Sequence, residues 1–382
     1  MTREESEASF VPRDVMAYQA RILPGVSRTF ALTIPSLPRS LRVPVTNAYL
    51  LCRIADTLED DAELPAERKR WLGRRFVEVL AGRADPDAFA RDAAPLLSPA
   101  TPDDERELLA RSTDIVRVTR SLPATQRRAL VRCVSLMSDG MHRFQRRAGL
   151  HGLASQREMD EYCYFVAGVV GEMLTELFCA HSEAIGKRRE RLMMLAPSFG
   201  QGLQMTNILK DVWEDHARGI CWLPRPAFDV DAADGGDLLR DVRPAALEQG
   251  LKRLVVVAHG HLRNALAYTL LIPRRHLAIR RFCLWALGMA VPTLANIHAR
   301  PGFRAGADVK ITRPQVRAIV RRYGLCAPSN SLLRQLFARA SKTLPASDPA
   351  LTSQLQDISR RAGSDPAHEP SGEPVGPSLG VH

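Results

Sequence analysis

Apolar residues recur along this chain at intervals of three and four, over segments longer than ten residues, and that spacing commits it to helices. Alternating Val, Ile and Thr bounded by hairpin turns is not found, so no sheet is expected. The periodicity predicts helices over 42–60, 66–82, 104–118, 124–147, 157–182, 189–215, 243–270, 275–298, 313–323 and 329–341. Breaks fall where Pro, Gly and Asp gather, near 84–88, in "LSPATPDD" at 97–104 and in "DVDAADGGD" at 229–237. No repeat of fixed period is present. The fold class that follows is all-α.

Two of these helices carry an unusual cargo. Asp56, Glu59 and Asp60 are spaced i, i+3, i+4, so their carboxylates leave one face. Tyr49, Arg53, Asp56 and Asp60 lie within a sector of roughly 60°. That face runs from an aromatic through a cation to two carboxylates, after the apolar lead-in "VPVTNAYLL". Like charges on one helix face repel by a few tenths of a kcal/mol per pair, and by more beside apolar surface. The spacing returns in Asp211, Glu214 and Asp215, with Gln204 and Asn207 leading to them. Either motif alone reads as well as a salt-bridged helix end. Two of them, each continuing a stripe of polar and apolar residues, read as paired sites for Mg²⁺, which prefers carboxylate oxygens and completes its shell with water and phosphate.

The formal charge of +11 points to an anionic partner: a phosphorylated metabolite, an anionic membrane surface or nucleic acid. No zinc-finger, RRM-like or bZIP pattern is present, and nucleic acid is set aside. Cys52, Cys133, Cys163, Cys179, Cys221, Cys283 and Cys326 form no CxxC and no grouping with histidine. Their scatter implies reduced thiols in a reducing compartment. The start "MTREESEASF" is acidic and polar, unlike a secretory signal. The longest apolar stretch, "FCLWALGMAVPTLANI", has about 16 residues against the ~20 that span a bilayer, and reads as a buried helix. Localisation is therefore expected to be cytoplasmic, with peripheral contact on the inner face of the membrane. The segment 363–382, rich in Pro, Gly and Ser, is expected to be a disordered tail to a helical domain over 1–362. Oligomeric state is not legible.

Four blocks in order resemble the squalene/phytoene synthase family, the head-to-head prenyl synthases: "VSRTFALTIPSLP" at 26–38, "AYLLCRIADTLEDD" at 48–61, "YCYFVAGVVGEMLTELF" at 162–178 and "LQMTNILKDVWED" at 203–215. The resemblance covers about 20–325. Within the family, "FCLWALGMAVPTLA" at 282–295 and "VKITRPQV" at 309–316 look more like squalene synthases than phytoene synthases. The resemblance implies a single-domain isoprenoid synthase-type helical fold around a central cavity. It implies Mg²⁺ held by Asp56, Glu59 and Asp60 on one side and Asp211, Glu214 and Asp215 on the other. Two farnesyl diphosphates would be joined through presqualene diphosphate, which NADPH would reduce to squalene.

On the same resemblance Arg28, in "SRTF", and Arg53 would hold diphosphate, and Phe30 would line the cavity. Tyr49 and Tyr162 would stabilise carbocations through their ring faces. Gln204, Asn207 and Lys210 would complete the metal or phosphate shell at the second motif. Ile220 departs from the family, which usually has arginine five residues beyond the last motif aspartate; Arg218 is the substitute cation. Lys310 and Arg313 would contact the phosphates of NADPH, with no GxGxxG and hence no Rossmann site expected. Without a reductant the scaffold would be a phytoene synthase, or would stop at presqualene diphosphate or hydroxysqualene. A remote alternative is a non-catalytic scaffold relative.

Overall fold

A computed structural model describes residues 13–345 except 146, 148 and 231–235, and of Arg28 the backbone alone; the segment 363–382 lies outside the described residues. The chain is an all-α single domain. Among the described residues there is no strand, and β pairing is limited to one isolated bridge, Leu153 to Pro224.

The first long helices are α1 (Arg13–Val26), the short α2 (Arg28–Thr33), α3 (Arg39–Asp60), α4 (Ala66–Leu80) and α5 (Pro86–Ala93). The sequence expectation, whose first helix began at residue 42, missed α1 and α2, and also α5, which is only eight residues long. Its start signal is nevertheless plain: Asp85 accepts from the amides of Asp87 and Ala88, and Pro86 follows in the first turn. Next come α6 (Asp103–Ala110), α7 (Ser112–Ser121), α8 (Ala124–Gln145), α9 (Gln156–Cys163), α10 (Val169–His181) and α11 (Glu183–Gly186). The expected helix over 157–182 is continuous but contains a π turn at Tyr164–Gly168. Such a turn inserts one residue and re-aims the side chains before it.

The second half holds α12 (Arg189–Lys210), α13 (Val212–Ala217), α14 (Leu238–Asp241), α15 (Pro244–Leu271), α16 (Leu277–Ala299), α17 (Gly306–Val309), α18 (Arg313–Cys326) and α19 (Asn330–Ala340). Here one expectation needs correction. The helix over 189–215 breaks at Asp211, whose φ of −97° and ψ of 17° leave the helical well. The second acidic motif therefore sits on a joint, and Gln204 and Asn207 do not run in line with Asp215.

Buried side chains form two clusters. One gathers α1, α3, α4, α8 and α10 around Phe76, Phe144, Phe165 and Phe178. The other gathers α12, α15, α16, α18 and α19 around Leu209, Leu262, Leu287 and Phe337. Tyr162, Phe199 and Trp222 pack against both, so they mark the seam. The first acidic motif belongs to the first cluster and the second to the other. The stretches Gln156–His181 and Leu277–Ala299 are long and apolar enough to cross a membrane by length and composition. Helix α16 thus outruns the apolar stretch read from sequence, and length does not exclude a span. Half of each apolar window, 50% and 56%, is buried inside the protein, and both are core helices.

Glycines let the central helices touch. A Cβ on Gly200 of α12 would lie 2.0 Å from the Ala167 carbonyl oxygen, and one on Gly171 would lie 2.1 Å from that of Ala196. Gly200→Ala is expected to cost about 2 kcal/mol or more, because a backbone carbonyl must move. Thermal unfolding checks it against Gly186→Ala, whose Cβ would sit 3.6 Å from the Cys179 carbonyl and should leave Tm nearly unchanged.

Candidate active site

The first wall is the last two turns of α3. Tyr49 donates its hydroxyl to the Val26 carbonyl at 2.9 Å and accepts from Arg53 at 3.0 Å. Arg53 also faces Glu105 of α6 at 3.8 Å, and Thr57 donates to the same carboxylate at 2.9 Å. Phe30 of α2 packs on Tyr49, ring centres 4.9 Å apart, and on Phe282 of α16 at 6.3 Å. Asp56 and Glu59 are half-buried. Asp60 is reached by solvent yet walled by protein, as a side chain facing a cleft is.

The helix end is built by the next acid along. Asp61 accepts from the amides of Glu63, Leu64 and Ser98 and from the Thr101 hydroxyl, at 2.7–3.0 Å. Asp61 thereby stops α3 just after Asp60. Lys69 donates to the Glu59 carbonyl at 2.5 Å and Gln145 donates to it at 3.2 Å. The Glu59 side chain lines a separate cavity of about 190 Å³ with Lys69, Arg70 and Arg74, on the side of α3 toward α4 and α8.

The second wall is the α12–α13 joint. Lys210 pairs with Asp211 at 2.9 Å and donates to the side chain of the exposed Asn207 at 3.4 Å. Gln204 is half-buried one turn earlier. Glu214 accepts from the amide of Gly306, the first residue of α17, at 2.8 Å. Gly306 is needed there, since a Cβ would lie 2.9 Å from the Lys210 carbonyl and 3.1 Å from carboxylate oxygens of Asp211 and Glu214. Asp215 is buried and ion-paired with Arg218. Ile220 donates its amide to the Asp215 carbonyl at 3.1 Å, and Arg218 is the cation that this turn presents.

Electrostatics bring the two walls together. Burial raises the Asp56 carboxyl to about 7; Arg53 opposes this, and Asp60 and Glu105 add to it. Burial likewise raises Glu59 to about 7, against the pull of Lys69. Asp60 is raised by burial, with Arg218 the strongest opposing charge, although Arg218 belongs to the other wall. Asp215 is raised by burial and further by Asp211 and Asp60. Asp60 and Asp215 thus sense each other, and Arg218 acts on both. Tyr162 completes the meeting: burial raises its phenol well above its ordinary value, and Asp60, Cys163, Asp215 and Glu59 add to the shift. Its ring stacks on Trp222 at 3.9 Å, at the seam of the two cores.

The model of the family described as squalene/phytoene synthase matches residues 23–315, more than three quarters of the chain. The chain belongs to the squalene/phytoene synthase family. Among curated relatives, a squalene synthase of Bos taurus is 29% identical over 342 residues, 89% of this chain and 77% of that protein. One of Gibberella zeae is 29% identical over 295 residues, 77% of this chain; the match spans 61% of the Gibberella protein. The solved structure of TcSQS with a bound ligand superposes with a TM-score of 0.69 at 26% identity, covering 93% of this chain and 100% of that one. A dehydrosqualene synthase shares the fold, with a TM-score of 0.55 at 19% identity. Squalene synthase-type prenyltransferase chemistry stands with this membership.

Of the residues singled out by sequence, the fold brings together Asp56, Asp60, Asp211 and Asp215 with Arg53, Lys210, Arg218 and Tyr162. Lys310 follows α17 and Arg313 opens α18; both are exposed and have no carboxylate within 4 Å among the described residues. Sequence reading missed Glu105, Lys69, Trp222 and Gly306. Glu105 lies 48 residues from Thr57, and no local spacing announces that contact.

No three of the His, Cys, Asp and Glu side chains among the described residues converge closely enough to cage a metal unaided. That suits Mg²⁺, which takes one or two protein carboxylates and fills its octahedron with water and phosphate. The raised carboxyls are fitting donors, because a divalent cation would favour the charged form that burial disfavours.

The metal-free protein is expected to show this in its pH dependence. A folded value near 7 for Asp56 against 3.8 unfolded means the folded state binds more protons between those values. Stability therefore falls as pH rises through that window. In EDTA, Asp56→Asn should flatten the fall of Tm with pH and raise Tm at pH 8 above the unmodified protein. An equal or lower Tm at pH 8 for Asp56→Asn would contradict this account.

Proposed function

We propose that this enzyme condenses two farnesyl diphosphates head to head into presqualene diphosphate and reduces that intermediate with NADPH to squalene. The observation that carries the reading is that carboxylates of the two motifs, Asp60 and Asp215, interact with one another, with the shared cation Arg218 and with the buried Tyr162. The likeness to squalene synthases over 89% of the chain supports squalene over phytoene as the product.

The residues divide the work as follows. Arg53, Lys210 and Arg218 meet the diphosphates, with Arg28 added on the strength of its family block. Asp56, Glu59, Asp60, Asp211, Glu214 and Asp215 are the donors for Mg²⁺, which when bound neutralises the diphosphate so that it can leave. Departure of one diphosphate creates an allylic cation, which the double bond of the second molecule attacks; loss of a proton, to the released diphosphate, then closes the cyclopropane of presqualene diphosphate. Phe30, Tyr49 and Tyr162 offer it ring faces and exclude water. Tyr49 has its hydroxyl tied to Val26 and Arg53, so its contribution is the ring. Tyr162 keeps its proton at neutral pH, because burial and nearby carboxylates hold its phenol far above 10. It therefore donates a hydrogen bond and does not serve as the base. Lys310 and Arg313 would hold the phosphates of NADPH, the reductant that supplies hydride. Gln204 and Asn207 steady the phosphate shell at the second wall. The enzyme works in the cytoplasm, in peripheral contact with the inner face of the membrane.

Incubation with farnesyl diphosphate and Mg²⁺, with and without NADPH, tests the reading by product analysis. Squalene should form only with NADPH. Hydroxysqualene or presqualene diphosphate under both conditions would remove the reductive half. Turnover restricted to geranylgeranyl diphosphate would indicate phytoene synthesis, and no turnover of either would indicate the scaffold. Asp211→Asn should lower turnover on the order of a hundredfold or more with Tm little changed.

A further inference from the structure

The charge of this protein is not spread evenly. From Val309 to Pro345 the sequence holds eight cations, from Lys310 to Lys342, and no Asp or Glu, against a net +11 for the whole chain. Elsewhere the surface arginines commonly find carboxylates, as Arg83 finds Glu78 and Arg147 finds Glu158. Among the described residues none of these eight does. Eight unpaired like charges, six of them on the adjoining α18 and α19 and two flanking them, repel one another, and an external anion relieves that repulsion.

Their placement says what kind of anion. Arg313, Arg317, Arg321 and Leu325 follow at intervals of four along α18, a stripe that drifts by only ~40° per step. All four are exposed, Leu325 at 75%. The opposite side of α18 packs on α16, where Tyr323 and Ile319 close against Gly288. Between the two helices runs an open groove of about 450 Å³, lined by Arg281, Trp285, Arg321 and Leu325. The indole N–H of Trp285 is buried with no acceptor. On α19, Leu332 adds a second leucine, exposed at 48%.

A soluble phosphate would call for an enclosed cluster of donors, and this groove is open. A nucleic acid would call for stacking aromatics rather than exposed leucines. Arginines interleaved with exposed leucines and one tryptophan suit the boundary between headgroups and acyl chains. We propose that the outer face of α18, with its groove against α16, docks on the surface of an anionic phospholipid bilayer. The proposal rests on the peripheral localisation above and adds which face meets the lipid. Helix α16 presents Trp285 to this groove and Phe282 to Phe30, so the docked face lies one helix from that wall of the candidate active site.

Cosedimentation of the full chain with vesicles tests it, using phosphatidylcholine alone against equal parts phosphatidylcholine and phosphatidylglycerol. Binding is expected to the anionic vesicles only, weakening with salt. Arg317→Gln with Arg321→Gln should lower the partition coefficient on the order of tenfold or more, at a few-fold per charge. Leu325→Ser should lower it several-fold with no change in charge. Arg70→Gln with Arg74→Gln, removing two exposed arginines of α4, should leave it unchanged. The α18 variants should keep the unmodified Tm and the turnover of dispersed substrate. If the unmodified protein ignores anionic vesicles, the peripheral localisation and this face fall together. If it binds, and the α18 variants bind as well as it does, the face is wrong and the localisation stands. A dimer in solution that Leu325→Ser makes monomeric, with vesicle binding unchanged, would assign the face to a second copy of the chain.

Discussion

Carboxylates brought close together and walled by protein repel, and the apolar residues around them give no relief. Asp56, Glu59, Asp60 and Asp215 are all pushed up from their ordinary values, in each case first by burial, and for Asp56, Glu59 and Asp215 further by neighbouring acids. The cations in reach only partly oppose this. Arg53 is shared among Tyr49, Asp56 and Glu105, and Arg218 between Asp215 and Asp60. A fold that keeps such a cluster has to hold it together from outside, and two separate apolar cores do so. Each anchors one acidic wall, and Tyr162 and Trp222 sit where the cores meet.

That division explains the irregularities around the site. A helix running straight through Asp211 would carry Asp215 onward along the axis of α12. The break at Asp211 turns the last acids toward α3, and the Gly306 amide receives Glu214 at the turn. The π turn at Tyr164–Gly168 lies just beyond Tyr162 and allows α10 to keep its close approach to α12. Both departures from regular helix fall at the seam, where neighbouring elements over-determine the backbone and local geometry yields to the site.

Most of the fold was legible because helical periodicity is strong in most helices with a buried stripe ten residues long, although α1, with Tyr18, Ile22 and Val26 on such a stripe, escaped the reading. Helix α5 lacked the length to show one. The acidic pairs were legible from i, i+3, i+4 spacing, and their opposition across a cleft was suggested only by their duplication. What local spacing could not carry were contacts between distant segments: Glu105 reaching Thr57 and Arg53, Lys69 reaching the end of α3, and Trp222 stacking on Tyr162. The Asp211 break was invisible for a related reason. No Pro or Gly marks it, and the turn is imposed by packing against α17.

Adjacent aspartates at the end of α3 show how far environment outweighs sequence. Asp60 and Asp61 are chemically identical and one residue apart, yet their carboxyls shift in opposite directions. Burial raises Asp60, and the nearby cations only partly oppose it. Asp61 also bears a desolvation cost, but three amides and the Thr101 hydroxyl bind its charged form and bring it below the ordinary value. Asp61 is thereby a permanent anion that ends the helix and fixes the loop over Ser98 and Thr101. Asp60 remains a charge without adequate partners, available to a ligand. A string of acids in sequence is therefore not one site with several members. The helix end splits it, with the satisfied acid holding the unsatisfied ones in place.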